Sequence, residues 1–117
     1  DAYVTIAHTN DVSLVRNGTV LTNTVGTQNA PCWATILGPF LYTGNTASQN
    51  VSRYAVYGQK IVLDAAIAAA QSSNTTDVAA ADGLVAVIDG SGQISHLSIY
   101  TVDEDGNFTL VKGVHHQ

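Results

Sequence analysis

The sequence predicts an all-β fold, built as about two and a half four-stranded antiparallel units. Three observations carry that expectation. Short runs rich in Val, Ile and Thr alternate with Asn, Asp and Gly turns along most of the chain. Val51-Ser52-Arg53-Tyr54-Ala55-Val56 aligns with Ile94-Ser95-His96-Leu97-Ser98-Ile99, and Leu41-Tyr42 with Leu84-Val85, both at an offset of 43 residues. Val12-Ser13-Leu14-Val15 reads as an earlier, shorter copy. Repeats of roughly 40–50 residues made of short strands are the pattern of β-propeller blades. A propeller needs about four to eight blades to close, so the 117 residues are expected to form part of a larger propeller. The units are a partial blade over 1–28 and blades over 29–71 and 72–117.

The partial blade carries strands over 2–7, 12–16 and 20–25, separated by Asn/Asp/Gly turns. The next unit starts at 32–37, turns at Gly38-Pro39, continues over 40–43, and resumes at 51–57 after a polar loop. Gly58-Gln59 turns it into a last strand from Lys60. The final unit repeats the order over 77–80, 84–88, 94–102 and 107–112, with turns at Asp82-Gly83, Gly90-Ser91-Gly92 and Asp103-Glu104-Asp105-Gly106. One segment competes. Asp64-Ala65-Ala66-Ile67-Ala68-Ala69-Ala70-Gln71 has high helix propensity, with Asp64 placed to cap it. So short a helix is marginal without packing, and strand continuation with a linker is preferred over a helical turn.

Composition excludes several classes. Hydrophobic residues are 45 % and charged residues 11 %, which allows a core and argues against disorder. No apolar run is long enough for a membrane helix, and no signal peptide is visible. Net charge is −5, and the fixed cations Arg16, Arg53, Lys60 and Lys112 are scattered. A nucleic-acid surface needs a clustered basic patch, so no nucleic-acid partner is expected. The chain has no methionine, which predicts a processed or excised product. Four Asn-x-Ser/Thr sequons begin at Asn17, Asn50, Asn74 and Asn107. They are acceptors for N-glycans in a secreted protein, and each falls in or beside a predicted turn. Cys32 is alone, and the preferred reading is a free, buried cysteine acting as a small hydrophobe.

Several segments then follow in a telling order: Asn29-Ala30-Pro31-Cys32-Trp33, Tyr42-Thr43-Gly44-Asn45-Thr46, Val51-Ser52-Arg53-Tyr54, Thr76-Asp77-Val78-Ala79, and Tyr100-Thr101-Val102-Asp103-Glu104-Asp105-Gly106-Asn107-Phe108-Thr109-Leu110. The succession resembles the C-terminal third of the lactonase-type seven-bladed β-propellers, the carboxymuconate cyclase-like group, with secreted fungal glycoproteins as the nearest likeness. The resemblance implies blades around a channel, with any lactone chemistry at one mouth. Such chemistry moves a proton next to a substrate carboxylate, and needs a general acid or base and cations.

The residues supply little of this. Glu104 is the only glutamate and sits in a hairpin turn with Asp103 and Asp105, which fits turn chemistry better than a calcium loop. Arg53 and His96 occupy equivalent places in the 43-residue alignment and are expected to point outward from third strands. Asp77 opens a first strand, the kind that lines a channel, where the alignment puts Ala34. It is a channel candidate, or a cap for backbone N–H groups. His8 is a weaker catalytic candidate beside Thr9-Asn10-Asp11. Trp33 walls a pocket or fills an inter-blade core. His115-His116 is expected to be a solvated tail. No metal site and no cofactor are expected.

Three functions remain in view. The first is a structural, adhesion or binding role in an extracellular glycoprotein. The second is a part of a lactonase or cyclase whose catalytic residues lie mostly elsewhere. The third is a fragment that assembles into filaments by strand-edge pairing. The partners implied are the rest of a parent propeller or further copies of the chain, with N-glycans.

Overall fold

The computed structural model describes residues 1–116, with side chains through residue 111. The described residues form antiparallel sheets and no helix. Sheet A contains β1 (Ala2–Ile6), β2 (Asp11–Arg16) and β3 (Thr19–Val25). Sheet B contains β4 (Pro31–Leu37), β5 (Phe40–Asn45), β6 (Asn50–Tyr57) and β7 (Lys60–Ala70). Sheet C contains β8 (Thr75–Ala81), β9 (Leu84–Ser91), β10 (Ile94–Val102) and β11 (Phe108–His116). Within each sheet, strands follow chain order, as tight hairpins require. Asn17 and Gly18, and again Asp82 and Gly83, both take positive φ between paired strands. That double positive φ is the type I′ turn whose twist matches the flanking strands.

The alanine-rich segment is strand. Ala65 pairs with Arg53, Ala69 with Val51 and Ala70 with Asn50, while the Ser52 hydroxyl donates to the Ala66 carbonyl at 2.7 Å. Ala69 is buried in the core that includes Val51, Val78 and Tyr100. Tertiary pairing outweighs a propensity of a few tenths of a kcal/mol per residue.

The sheets stack face to face. Val12 and Leu14 of sheet A pack with Leu41, Tyr54 and Ile61 of sheet B. Tyr42, Val51 and Ala69 on the other face of sheet B pack with Val78, Val85, Val87 and Tyr100 of sheet C. Alternation along β5 makes this possible: Leu41 points to one neighbour and Tyr42 to the other. Sheet B is therefore covered on both faces.

The structure corrects the repeat alignment. Ladder breaks fall between Leu14 and Val15, between Arg53 and Tyr54, and between Ile99 and Tyr100, each just before the chain turns into the following strand. Matching those breaks puts Val51-Ser52-Arg53-Tyr54 opposite Leu97-Ser98-Ile99-Tyr100, and confirms Val12-Ser13-Leu14-Val15 as the third copy. Arg53 thus corresponds to Ile99, not to His96. Asp77 likewise corresponds to Trp33, not Ala34, because both follow the break that opens their first strands.

Candidate functional site

The polar chemistry of the described residues gathers at three places. The first is the end of the β9–β10 hairpin. The pair Asp89↔His96 closes the part of this hairpin that sheet B also has, and residues 90–95 extend two pairs beyond it. Asp89 is 1 % exposed. His96 Nδ1 lies 2.8 Å from Asp89 Oδ1, with the His96 side chain about one quarter exposed, at 27 %. A buried carboxylate needs a hydrogen-bonded partner, and the imidazole is that partner. The carboxylate in turn fixes the ring's orientation. Asp89 also lines an open cleft with Thr76 and the overhanging hairpin tip. The equivalent place in sheet B holds a neutral pair: Asn45 Nδ2 donates to Asn50 Oδ1 at 2.8 Å, and Asn50 donates onward to Gln28 at 2.7 Å.

The second place joins sheets B and C. Arg53 is buried, against the expectation of an outward polar residue. Its Nε donates to Asp64 at 2.7 Å and its Nη1 to the Asn107 side chain at 2.9 Å, while the guanidinium lies 5.4 Å from the centre of the Phe40 ring. The reason is position. Arg53 follows Val51 by two residues on the face that sheet C covers, so its long stem is buried while its head finds polar partners at the rim. The neighbouring Tyr42 hydroxyl donates to the Gly106 carbonyl at 2.9 Å. Burial pushes the Tyr42 phenol up to about 12; nearby Arg53 pulls it down, and Asp103 and Asp64 add to the rise. Tyr42 and Phe108 rings sit 4.9 Å apart, and Phe108 stacks on Tyr100 at 5.0 Å.

A hydrogen-bonded band also lies between sheets A and B. Asn45 Nδ2 bonds to Ser52 at 2.8 Å, and the Thr43 hydroxyl donates to Asn45 at 3.1 Å. The Tyr54 phenol is raised, first by burial and then by the Asp11 carboxylate, against a hydrogen bond with Thr43 that lowers it.

The other candidates are dispersed. Asp77 is exposed, and its Oδ1 accepts the Val78 N–H at 2.8 Å, a local cap of the kind weighed for it. His8 is exposed in the β1–β2 turn. Trp33 is partly buried against the core between sheets B and C. Glu104 is exposed. Asp103 Oδ1 accepts the backbone N–H groups of Asp105 and Asn107 at 2.9 Å each, so that turn is built by its own side chain. Among the described residues, no group of three or more His, Cys, Asp or Glu is placed to hold a metal ion. Cys32 is free but exposed, correcting the buried reading. It is the extra residue of the break between Pro31 and Trp33, and a bulged residue leaves the alternation that would have turned it inward. The His115-His116 side chains lie outside the described residues.

Of the sequon asparagines, Asn17, Asn74 and Asn107 are exposed. Asn50 is 4 % exposed and bonded at both ends of its amide. A glycan on its Nδ2 would have to fit at a buried nitrogen that already donates to Gln28. Asp89, Tyr42 and the pairing of Asp64 with Arg53 were not among the sites expected from the sequence. Asp89 left a readable signal: it ends the apolar run Val85-Ala86-Val87-Ile88, and His96 mirrors it across the Gly92-Gln93 turn.

Comparison with protein-family models, with curated proteins and with solved structures gives no match.

Proposed function

We propose that the chain is a segment of a larger extracellular β-propeller glycoprotein, and that its role is structural or one of adhesion and binding. The observation that carries this reading is the stacking of like sheets: sheet B is covered on both faces, while sheets A and C each keep one bare face. The bare face of sheet C is apolar, with Ala79, Ala81, Leu84, Ala86 and Ile99 around a shallow depression. A further sheet on it would continue the stack toward a ring. Polar side chains favour the same reading. Tyr42 and Arg53 tie sheet B to the β10–β11 turn, and Asn45 and Asn50 bond each other across the β5–β6 hairpin, which leaves few groups for catalysis. Glycopeptide mapping of the protein from its source tests this. Glycans on Asn17 or Asn74 with none on Asn50 support it, and an unglycosylated chain from an intracellular fraction overturns it.

A second reading rests on the Asp89–His96 pair beside its cleft: part of a lactonase or cyclase of the carboxymuconate type. A carboxylate-oriented imidazole is suited to moving a proton in such chemistry. Turnover of a muconolactone-type substrate that disappears in His96→Gln supports it, and no turnover above buffer in the intact protein removes it. The filament reading is weakened by the edges, because five of the six edge strands in the described sheets carry a ladder break.

A further inference from the structure

We propose that the edge of β1 that no described strand pairs accepts one extended peptide segment, running antiparallel to β1 and apolar at alternate positions. The inference goes beyond the proposed role and does not depend on closure of a ring. Two independent observations carry it.

The first is the distribution of ladder breaks. The edge strands of the three sheets are β1, β3, β4, β7, β8 and β11. Five of them meet their neighbour through a broken register. The β1–β2 ladder alone runs unbroken, through Ala2↔Val15 to Ile6↔Asp11. The only other unbroken ladders are β5–β6 and β9–β10, both interior to their sheets. Bulges twist an edge and protect it from pairing. β1 has neither bulge nor proline nor lysine: its five residues are Ala-Tyr-Val-Thr-Ile.

The second observation is equivalence by connection. A four-residue loop joins β1 to β2, as one joins β5 to β6. A two-residue turn joins β2 to β3, as one joins β6 to β7. The shared break at Leu14/Val15 and Arg53/Tyr54 makes the same assignment. So β1 corresponds to β5, which has strands on both sides. The slot beside β1 is the one that β4 fills in sheet B and β8 in sheet C.

Those two strands describe the occupant. Each is seven residues long and antiparallel to its neighbour. Each is itself a bulged edge, so one added strand completes the sheet. β1 packs against β4 as β5 does against β8, and β4 itself packs against β8, so one face of the incoming strand meets β4. In β4 the residues in that role are Trp33 and Leu37, which lie against the core shared with sheet C. An incoming strand therefore needs large apolar residues two or four positions apart, and no charge between them on that face.

The test uses the full chain, labelled with nitrogen-15, and a peptide of residues 31–37 carrying Cys32→Ser. Titration followed by amide resonances should saturate, with changes centred on 2–6 and slower hydrogen exchange there. Two N-methylated versions of the peptide, blocked on alternate residues in opposite phase, separate strand addition from hydrophobic adhesion. One phase should lose at least about tenfold in affinity through lost backbone bonds, and the other should bind as before. Equal binding by both, saturation centred on β3, β7 or β11, or no saturable binding overturns the proposal. So does a dimer formed through β1 that takes up no peptide.

Discussion

The Tyr42 hydroxyl of sheet B reaches the Gly106 carbonyl of the β10–β11 turn at 2.9 Å, and the backbone at 106 is what lets it. Gly106 is buried at φ +82°, and a Cβ there would stand 2.8 Å from the Arg53 stem and from the Phe40 ring. Gly106→Ala thus meets a disfavoured backbone conformation and overlap with a packed aromatic ring. The expected cost is about 3 kcal/mol, seen as a lower urea midpoint with an unchanged slope. A midpoint within error of the parent protein would show that sheets B and C are not joined through this turn.

Alkaline pH acts on the same bond. A phenol raised from 10.0 to about 12 stays neutral in the folded protein where the unfolded chain ionises. Its contribution is complete below about pH 10 and is lost as pH rises toward 12, at up to about 2 kcal/mol. Tyrosinate absorbance should show at least one late-titrating phenol in the native state, and stability should fall steeply above pH 10. Tyr42→Phe should remove the steepest part of that fall while costing about 1–2 kcal/mol at neutral pH, since the Gly106 carbonyl loses its donor. An identical alkaline profile in the variant would assign the effect to another residue.

The repeat was legible in the sequence; its register was not. The strings Ile94-Ser95-His96 and Leu97-Ser98-Ile99 fit Val51-Ser52-Arg53 about equally well by residue type. Hairpin length chooses between them. Sheet B turns through four residues after Asn45, whereas sheet C continues two pairs further and turns at Gly92-Gln93. Loop length fixes register, and a string of residue types does not report it. That one slip placed Arg53 and His96 together and hid the true partners, Asp64 and Asn107 for one and Asp89 for the other. Cys32 failed for a related reason. A bulge displaces one residue from the period-two pattern, and no residue type announces it.

Exposure of Cys32 has a direct readout. The thiol sits on a bulge of an edge strand rather than in a core. It should react with a disulfide reagent in the native protein within a few-fold of the rate in denaturant, because accessibility rather than unfolding limits the reaction. A native rate lower by orders of magnitude would place the sulfur under cover and restore the buried reading.

The polar pair at the base of the β9–β10 hairpin offers a test built from the molecule's own repeat. Asp89 and His96 stand where sheet B has Asn45 and Asn50, and both pairs close at 2.8 Å. The two partners do not lose equally when the bond is removed. Asp89 is 1 % exposed, so His96→Ala, which leaves that carboxylate buried without its imidazole, should cost about 3 kcal/mol, and Asp89→Ala somewhat less, as the imidazole is partly in solvent. Asp89→Asn alone should cost about 1–2 kcal/mol through the weakened bond to His96. Adding His96→Asn recreates the amide pair of sheet B. The double variant should then be more stable than the sum of its single changes by about 1–2 kcal/mol. Additive costs would mean that the two side chains touch without being coupled. Preserved stability together with lost turnover would instead mark the pair as kept for chemistry, because an amide pair can hold the hairpin but cannot take up a proton near neutral pH.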